Sequence, residues 1–374
     1  MRSASIGIDA RLNAYRGGGI AEYTRRLIGA LAQLDDQTTY RVLEHHRAPG
    51  RLVPPDAANF RSVTALTPPH HRLERLALGI EVARLRLNLL HSPDFIPPRF
   101  GARHTVITVH DLNFLHYPQF QTADSLRYYA GHIRAAVRQA DHILADSAAT
   151  RDDLCRLLDV PAEKITVHVL GVDQAFRPLP PAEVEAACAR FGLPRGYILF
   201  VGTFEPRKNL IGLLEAYHAL RQRLPDAPPL VIAGRRGWLY ESIFQKAADL
   251  GLGKSIHWME NLPDADLPAL YNGAAALALP SFYEGFGFPA LEAMACGVPT
   301  VVSDRGSLPE VVGDTGLLID PDQPEALAEA LARALTDEAF RARSGQAGLA
   351  RARTFTWTQT AQTTLAVYRR VLGR

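Results

Sequence analysis

Short apolar runs alternate with longer segments of helical periodicity along most of the chain. Tyr197–Val201 and Ala274–Leu279 are apolar throughout, as expected of strands buried on both faces of a sheet. Ser5–Asp9 is predicted to be a further short strand. Segments such as 21–34 and 211–223 repeat apolar residues at the helical spacing. A shorter helix is predicted over 264–272, with Asp264 as its N-cap. Because strands that alternate with helices form parallel sheets, the pattern predicts an α/β fold with doubly wound, Rossmann-like sheets.

The length and a proline cluster predict two domains. A chain of 374 residues is long for a single hydrophobic core. Pro178, Pro180 and Pro181 follow the last strand predicted in the first half, and such clusters are typical of domain boundaries. We therefore predict one domain over residues 1–173 and a second over residues 182–355.

The segment 70–87 is predicted to be an amphipathic helix that carries arginines among leucine and isoleucine residues. Two interpretations fit this pattern. The helix could lie on the surface of an anionic membrane as a peripheral contact. Alternatively, it is an ordinary half-exposed helix whose arginine stems cover apolar surface.

Composition and charge narrow the class of protein. Hydrophobic residues make up 47% and charged residues 21% of the chain, and the net charge of +2 does not indicate a nucleic-acid partner. Cys155, Cys188 and Cys296 are scattered, so neither a disulfide framework nor a zinc site is indicated. No apolar segment has the length of a signal peptide or of a membrane span, so we expect a cytoplasmic protein. Within the cytoplasm, it could also bind peripherally to the inner face of the membrane.

The stretch 280–299 is the richest candidate site. It follows a predicted strand, continues as a loop with alternating glycines and aromatics, and then becomes a helix with Pro289 as its predicted first residue. Amides at the start of such a helix, over 286–288, are expected to face a ligand rich in oxygen atoms. Two carboxylates, Glu284 and Glu292, bracket this loop. A plain strand–loop–helix corner is the alternative interpretation.

A second candidate site follows the predicted strand Tyr197–Val201. Arg207 and Lys208 stand side by side just before the helical segment 211–223. Arginine offers a two-pronged donor to phosphate oxygens, and lysine offers a point charge. We therefore predict a diphosphate site here, with a solvated basic turn as the alternative.

Two features of the first half complete the candidate set. Three glycines, Gly17, Gly18 and Gly19, precede the helical segment 21–34, where they would let the backbone approach a phosphate. His110 follows a predicted strand, at the edge where open α/β sheets bind ligands. A plain turn and a structurally satisfied histidine are the respective alternatives.

These motifs resemble those of the large "group 1" family of retaining nucleotide-sugar glycosyltransferases, whose Glu-x7-Glu signature matches Glu284 and Glu292. The resemblance extends over nearly the whole chain. It implies the GT-B architecture, in which two Rossmann-like domains face each other across a cleft and the last helix, 356–374, crosses back to the first domain. It also implies transfer of a sugar, with retention, from a nucleotide-sugar donor to a glycan or lipid-linked acceptor. No metal and no other cofactor are expected.

The resemblance also favours one donor. The family commonly has an arginine directly after the glycine that ends this strand, but here Thr203 follows Gly202. Lys208 keeps its family position, and Arg207 supplies the missing charge. A branch that contains many mannosyltransferases shows this pattern, so GDP-mannose is the preferred donor. UDP-sugars, such as those of glucose and N-acetylglucosamine, and ADP-sugars remain alternatives.

The family's functional residues are carried over position by position. Arg207 and Lys208 would stabilise the leaving diphosphate, and Glu284 would hold the hydroxyls of the donor sugar. Glu292 would hold the ribose, and His110 would orient the sugar or the acceptor. The full set of expected donor-binding residues is Gly17, Gly18, Gly19, Gly202, Thr203, Met259, Phe286, Gly287, Phe288, Leu291 and Glu292. Met259 is expected in the loop after a strand predicted over 255–258, and the resemblance implies that this loop borders the nucleoside base.

Other classes of protein remain open at this stage. A sugar-nucleotide epimerase or a glycan phosphorylase could share the architecture, although the cofactor-lysine motif of phosphorylases is not found. A two-domain solute-binding protein is the non-enzymatic alternative. It would normally carry a signal peptide and would not need paired carboxylates beside a diphosphate site.

Overall fold

The computed structural model describes residues 4–15, 18–48 and 50–374 of the chain. Two compact units make up the fold. The first extends to Gly171 and also takes in Thr356–Arg374 from the C-terminus, and the second is Val172–Phe355. None of the helices in the described part of the chain combines the length and the hydropathy of a membrane-spanning segment.

Each unit is built on one parallel sheet. In the described part of the first unit, seven strands pair in the order β3-β2-β1-β4-β5-β6-β7, and in the second unit six strands pair in the order β10-β9-β8-β11-β12-β13. The strands are β1 (Ser5–Asp9), β2 (Thr39–His45), β3 (Phe60–Ala65), β4 (Leu87–Ser92), β5 (Ala102–Val109), β6 (His142–Ala145), β7 (Ile165–Val167), β8 (Tyr197–Val201), β9 (Leu230–Gly234), β10 (Ile256–Glu260), β11 (Ala274–Leu279), β12 (Thr300–Ser303) and β13 (Leu317–Ile319).

The helices connect these strands. They are α1 (Gly19–Leu34), α2 (Glu74–Ala83), α3 (Asn113–His116), α4 (Ala123–Gln139), α5 (Ala148–Leu158), α6 (Pro181–Phe191), α7 (Leu210–Arg223), α8 (Glu241–Asp249), α9 (Leu267–Gly273), α10 (Phe288–Ala295), α11 (Leu308–Val312), α12 (Pro324–Thr336), α13 (Glu338–Ala352) and α14 (Trp357–Val371). The predicted alternation of strands and helices, and with it the doubly wound α/β class, is therefore confirmed.

The strand orders locate the ligand edge of each sheet. In both sheets the chain winds outward from the centre in two directions, and the direction reverses between β1 and β4 and between β8 and β11. Open parallel sheets bind ligands beyond the carboxyl ends of the two strands where this reversal occurs, because the connections there leave to opposite faces. In the second unit, that point lies between the loops that follow β8 and β11.

The cores are formed by the apolar strand residues and the inward faces of the helices. In the first unit, Ile107 and Ile143 of neighbouring strands pack with Ile133, Val137 and Leu154 from α4 and α5, and all five are buried. Removing such side chains from water contributes roughly 1.5–3 kcal/mol each. These layers give the loops at the carboxyl edge a rigid base.

Two predicted helices have different boundaries in the structure. The helix predicted over 70–87 is shorter, because Pro69 precedes it, His70 has a left-handed backbone (φ 61°) and Arg86 reverses the chain after it (φ 51°). Asp264 was expected to cap the helix after β10, but residues 264–266 form a 3₁₀ turn and α9 begins at Leu267. The predicted N-cap at Asp264 is therefore wrong.

Candidate active site

The candidate site of the second unit begins with the loop after β8. A 3₁₀ turn, Pro206–Lys208, ends at Asn209, which has a left-handed backbone and caps α7 by accepting a hydrogen bond from the Gly212 amide at 3.2 Å. The Asn209 side-chain amide also donates to the Pro321 carbonyl at 2.7 Å. This double anchoring fixes the end of the turn that carries the two predicted cations.

Both cations converge on the carboxylate of Glu284, which lies on the loop after β11. Lys208 Nζ donates to Glu284 Oε1 at 2.6 Å, and one Arg207 guanidinium nitrogen donates to Glu284 Oε2 at 2.9 Å. Ser281 Oγ donates to Oε1 as well, at 2.6 Å. Three of the residues predicted to be catalytic thus lie at one point, beyond the two strands where the winding direction reverses.

Arg207 also ties the two loops together. It donates to the carboxylate of Glu205 at 2.6 Å and to the Tyr283 carbonyl at 2.7 Å. Its own carbonyl accepts a hydrogen bond from the Phe282 amide at 2.8 Å. Glu205 is 2% exposed and Glu284 is 6% exposed, so two carboxylates and two cations form one largely desolvated cluster. Such groups are stable out of water only when they are paired in this way.

The electrostatics of the cluster define what Glu284 can do. Burial by itself raises the pKa of Glu284, but the charges of Lys208 and Arg207 and the hydrogen bonds from Lys208 and Ser281 lower the pKa to about 2. Glu284 is therefore a carboxylate throughout the neutral range. A group with so low a pKa is a poor general base near neutral pH, so the geometry favours charge balance and hydrogen bonding.

Two small residues after β12 hold the Glu284 loop in shape. Ser307 Oγ lies 3.0 Å from the Glu284 carbonyl oxygen and 2.7 Å from the Phe286 carbonyl oxygen, and its single proton is shared between these two acceptors. Gly306 has a left-handed backbone (φ 61°), and a Cβ there would lie 2.6 Å from the Glu284 carbonyl oxygen. Gly287 is also left-handed (φ 101°), and it directly precedes α10.

Glu292 lies on α10, and its side chain makes a hydrogen bond to the neighbouring helix α9. It accepts a hydrogen bond from the hydroxyl of Tyr271, on α9, at 2.7 Å. Burial, and then the charge of Glu292, raise the pKa of Tyr271 well above its usual value, so this hydroxyl keeps its proton. The Tyr271 bond orients the carboxylate, and the role of Glu292 toward a ribose stays a prediction.

The other predicted donor contacts differ in exposure. Leu291 is fully buried, and Phe286 is 6% exposed with its ring packed edge-on against Phe288, so both side chains belong to the core. Gly202 and Thr203, half-buried, stand directly after β8. Met259 was expected in the loop after the strand, but it pairs with Ala233 inside β10, so that placement is wrong. Pro289, expected first in its helix, is second, after Phe288.

In the first unit, His110 directly follows β5 and has two partners. Its Nδ1 lies 2.6 Å from a carboxylate oxygen of Asp146, and its Nε2 lies 2.8 Å from the Pro93 carbonyl oxygen. Both partners can only accept, so both ring nitrogens donate when the two bonds are made, and the ring is then an imidazolium. The other carboxylate oxygen of Asp146 accepts a hydrogen bond from His168 Nε2 at 3.2 Å, which fixes the orientation of the carboxylate.

We expect the pKa of His110 to be raised above its ordinary value. Burial by itself lowers the pKa of His110, but the charge and hydrogen bond of Asp146 outweigh it and raise the pKa. The charged pair therefore stabilises the unit fully below the ordinary histidine pKa near 6.5, and this contribution is lost as pH rises through the raised pKa. Asp146→Asn should lower the pKa of His110, measured by NMR of the ring protons and assigned with His110→Gln.

Asp141→Asn supplies the matched control, because Asp141 lies beside the ring of His104 at 3.3 Å. It should leave the titration of His110 unchanged. A pKa of His110 that does not respond to Asp146→Asn would show that the carboxylate does not set the charge of this ring.

The glycine loop of the first unit is described in part. Gly18 has a left-handed backbone (φ 131°) and directly precedes α1, which begins at Gly19, and both glycines are exposed. Glu22, in the first turn of this helix, is paired with Arg25 and Arg26. Gly17 lies outside the described residues, and contact between this loop and a phosphate stays a prediction.

Several residues that hold the predicted groups were not singled out from the sequence. Glu205, Ser281 and Ser307 hold the Glu284 cluster, while Tyr271 and Asp146 hold Glu292 and His110. Asp146 had a usable signal, since it directly follows the apolar sequence of β6, at the same sheet edge as His110. Ser281 is in the candidate loop itself, whereas nothing local marks Tyr271, which is 21 residues before its partner. Among the described residues, no group of three histidine, cysteine or acidic side chains is arranged to hold a metal ion.

Solved structures similar to this chain show which fold it has. Sucrose-phosphate synthase from Thermosynechococcus elongatus aligns over 100% of both chains with a TM-score of 0.80 and 23% identity. Anabaena Alr3699/HepE, solved in complex with UDP-glucose, aligns over 97% of this chain and 99% of its own with a TM-score of 0.75 and 19% identity. The fold is that of the GT-B glycosyltransferases, with two parallel-sheet α/β domains.

Sequence comparisons identify the family. The model of the family "Glycosyl transferases group 1" matches residues 190–351, and that of "Glycosyltransferase Family 4" matches residues 17–176. The O-antigen chain mannosyltransferase B of Escherichia coli is 37% identical over 282 residues, which cover 75% of this chain and 74% of that protein. The chain therefore belongs to the group 1 glycosyltransferases.

Proposed function

We propose that this glycosyltransferase moves mannose from GDP-mannose to a hydroxyl of a glycan or lipid-linked acceptor, with retention of configuration and without a metal ion. Mannose is supported by the 37% identity to an O-antigen chain mannosyltransferase. GDP is supported by the sequence Gly202–Leu210, which resembles the mannosyltransferase-rich branch of the family.

One observation carries the proposed chemistry, namely the pairing of Lys208 and Arg207 with Glu284. Two cations in a desolvated site at the ligand edge of a sheet are suited to a diphosphate, whose negative charge grows as the sugar leaves. Each cation is already balanced by a carboxylate, Glu205 or Glu284. A diphosphate that binds here competes with Glu284 for Lys208 and leaves the Glu284 carboxylate available to accept hydrogen bonds from sugar hydroxyls.

This exchange gives the residues of the cluster separate roles. Lys208 and Arg207 neutralise the leaving diphosphate, which removes the need for a metal cation. Glu284 is a fixed acceptor for the donor sugar because its low pKa keeps it charged. Glu292, oriented by Tyr271, is proposed to hold the ribose, and the amides over 286–288 are proposed to contribute to the donor site.

The proposed reaction needs no covalent intermediate with the protein. The bond between the sugar's anomeric carbon and the diphosphate oxygen breaks, and a bond from that carbon to the acceptor oxygen forms on the same face. The acceptor's proton passes to the leaving diphosphate. Because the diphosphate leaves and the acceptor oxygen attacks on the same face of the sugar, the configuration at the anomeric carbon is retained. NMR of the product's anomeric proton would measure this configuration.

A panel of nucleotide sugars tests the donor. We expect GDP-mannose to release its nucleoside diphosphate faster than UDP-glucose, UDP-N-acetylglucosamine or ADP-glucose, with and without mannose-containing acceptors. Activity should persist after treatment with a chelator, because Lys208 and Arg207 supply the positive charge. Full loss of transfer on adding EDTA, restored by a divalent cation, would overturn the metal-independent mechanism.

Calorimetry separates the remaining classes. We expect GDP to bind the protein without sugar present, since the diphosphate is the group that meets the cations. Tight binding of free mannose without affinity for any nucleotide would instead indicate a solute-binding protein. Conversion of a nucleotide sugar to its epimer in the absence of acceptor would indicate an epimerase.

A further inference from the structure

The outward face of α2, in the first unit, is apolar. Leu73 precedes this helix and is 51% exposed, while Leu76 and Ile80 are 43% and 55% exposed. Their spacing places all three on one face, together with Ala77 and Ala83. A surface helix ordinarily turns its polar side to water. In this helix, large apolar side chains point to solvent.

The acidic residues of the same helix point the other way. Glu74 is buried, where it accepts from the guanidinium of Arg11 at 2.7 Å and from the hydroxyl of Tyr128 at 2.6 Å. Glu81 accepts from the amides of Leu66 and Thr67, both at 2.9 Å. Because these carboxylates are occupied by internal partners, the outward face of α2 carries no acidic side chain.

One further exposed apolar residue borders this face. Phe100 is 47% exposed, and its ring lies 3.1 Å from the position that a Cβ on Gly79 would occupy, so it lies against the side of α2. We call Leu73, Leu76, Ile80 and Phe100 the α2 apolar patch.

Positive charge frames the α2 apolar patch. Arg72 and Arg84 are exposed at the two ends of the helix, and Arg99 is exposed beside Phe100. None of these three guanidinium groups forms an ion pair with another residue that the structure describes. Leucine and isoleucine between arginines are the composition of a surface that binds at the boundary between lipid headgroups and acyl chains.

We propose that the α2 apolar patch docks the protein onto a membrane surface rich in anionic lipids. The leucines and Ile80 enter the acyl boundary, and the arginines meet the lipid phosphates. A second copy of the chain is a poorer occupant. Because both ends of α2 carry an arginine, helices that pair along this face in either direction place arginine against arginine. The proposal goes beyond the transfer reaction and does not depend on the donor.

Vesicle sedimentation without any donor tests this docking. We expect the wild-type protein to sediment with vesicles of phosphatidylcholine and phosphatidylglycerol, to bind phosphatidylcholine vesicles less, and to detach as salt is raised. Leu76→Glu/Ile80→Glu should lower the partition coefficient at least about tenfold, since it removes two inserted side chains and adds negative charge. Arg72→Glu/Arg84→Glu should abolish the preference for the anionic vesicles.

Matched variants in the second unit control for the general effect of replacing exposed apolar or arginine residues by glutamate. Ile211→Glu/Leu318→Glu changes two apolar residues that are 38% and 43% exposed, and Arg343→Glu/Arg353→Glu changes two exposed arginines. Both control variants should bind vesicles like the wild type. Circular dichroism melting should show all variants folded, because every altered side chain is solvent-exposed.

Three results would overturn the proposal. One is the absence of wild-type binding to anionic vesicles. Another is equal binding by Leu76→Glu/Ile80→Glu and its control. The third is sedimentation velocity that shows a wild-type dimer which this variant converts to a monomer, since the patch would then be covered by a second copy.

Discussion

Glu284→Gln should lower the rate of glycosyl transfer about 100- to 1,000-fold, a loss typical of removing one preorganised polar contact from a transition state. Glutamine keeps the size of the side chain and one acceptor oxygen, but it removes the charge that accepts hydrogen bonds from Lys208, Arg207 and Ser281. The donor sugar then loses its fixed anionic partner. Steady-state kinetics with GDP-mannose would measure the change as a fall in kcat.

The same substitution should not weaken the binding of GDP. In the unliganded protein Glu284 occupies the two cations that the diphosphate needs, so the neutral variant removes a competitor. Calorimetry should therefore find that GDP binds Glu284→Gln at least as tightly as the wild type. A variant that loses transfer and GDP affinity in equal proportion would contradict this account, because the residue would then be needed for the diphosphate itself.

The Glu284 carboxylate also stabilises the folded protein, so an alanine and a glutamine substitution at this position are expected to differ in their effect on stability. Glu284→Ala leaves Lys208 unpaired in a desolvated site, and breaking one partner of a buried ion pair costs about 3–5 kcal/mol. Since the pKa of Glu284 is lowered to about 2, its stabilising contribution is complete above the usual carboxyl pKa of 4.5 and is lost as pH falls toward about 2. The melting temperatures of wild type and Glu284→Gln should therefore converge only in strong acid.

Glu292→Gln is the matched control within the same motif. Its carboxylate accepts from Tyr271 and is proposed to meet the ribose, away from the reacting bond. We expect Glu292→Gln to raise KM for the donor while kcat changes far less than in Glu284→Gln. Similar kinetic profiles for the two variants would mean that the separate roles are wrong.

Lys208→Met should lower kcat about 100- to 1,000-fold as well, because methionine keeps much of the side-chain volume and removes the charge beside the leaving diphosphate. Lys208 is 8% exposed, so its charge acts in a site with little water to screen it. Unlike Glu284→Gln, this variant should also bind GDP more weakly. The combination of lower kcat and weaker GDP binding identifies a phosphate-facing cation.

Lys246→Met provides the comparison for lysine removal. Lys246 lies on α8 of the same unit and pairs at the surface with Glu215. It should leave kcat and GDP binding near wild-type values. If Lys208→Met behaved like Lys246→Met, Lys208 would be a structural partner of Glu284 and nothing more.

The double variant Lys208→Met/Glu284→Gln tests whether the two residues act as one unit. Residues in direct contact show effects that do not add, and this pair is joined at 2.6 Å. We expect the double variant to lose less activity than the product of the two single losses. Fully multiplicative losses would indicate that the ion pair has no part in the reaction.

Much of the fold could be predicted from the sequence because its signals are local. Apolar runs such as Tyr197–Val201 and Ala274–Leu279 became strands with the predicted bounds, and the alternation with helices required parallel sheets. Local signals failed where a boundary depends on backbone conformation, as at His70 and Arg86, whose left-handed conformations shorten α2. The Asp264 cap failed for a similar reason, because the chain forms a 3₁₀ turn first.

The candidate site could be predicted as a set of residues but not as an arrangement. Each of Arg207, Lys208 and Glu284 was predicted at the end of a strand. Whether they meet depends on strand order, since the loops touch only because β8 and β11 are neighbours although β9 and β10 lie between them in sequence. Strand order is set by how the helical connections pack on the two faces, which no local pattern records.

Contacts between residues far apart in the sequence also determine which face of a helix is buried. The pattern of residues 70–87 indicated an amphipathic helix, and its leucines and isoleucine would ordinarily face the core. Arg11, 63 residues earlier in the chain, pairs with Glu74 and draws the acidic side of α2 inward. His110 is similar, because its charge depends on Asp146, 36 residues away.

The sequence by itself thus determined the class of fold, the family and the residues available for chemistry, because periodicity and motif spacing depend on neighbours along the chain. The tertiary structure decided that two cations share one carboxylate, that His110 has two accepting partners and that α2 exposes Leu76 and Ile80 to water. Each of these features is a contact between distant segments. These contacts are required because a charged side chain that is buried away from water is stable only when it is paired with an opposite charge or a hydrogen-bonding group. Which groups lie close enough to pair is set by the fold.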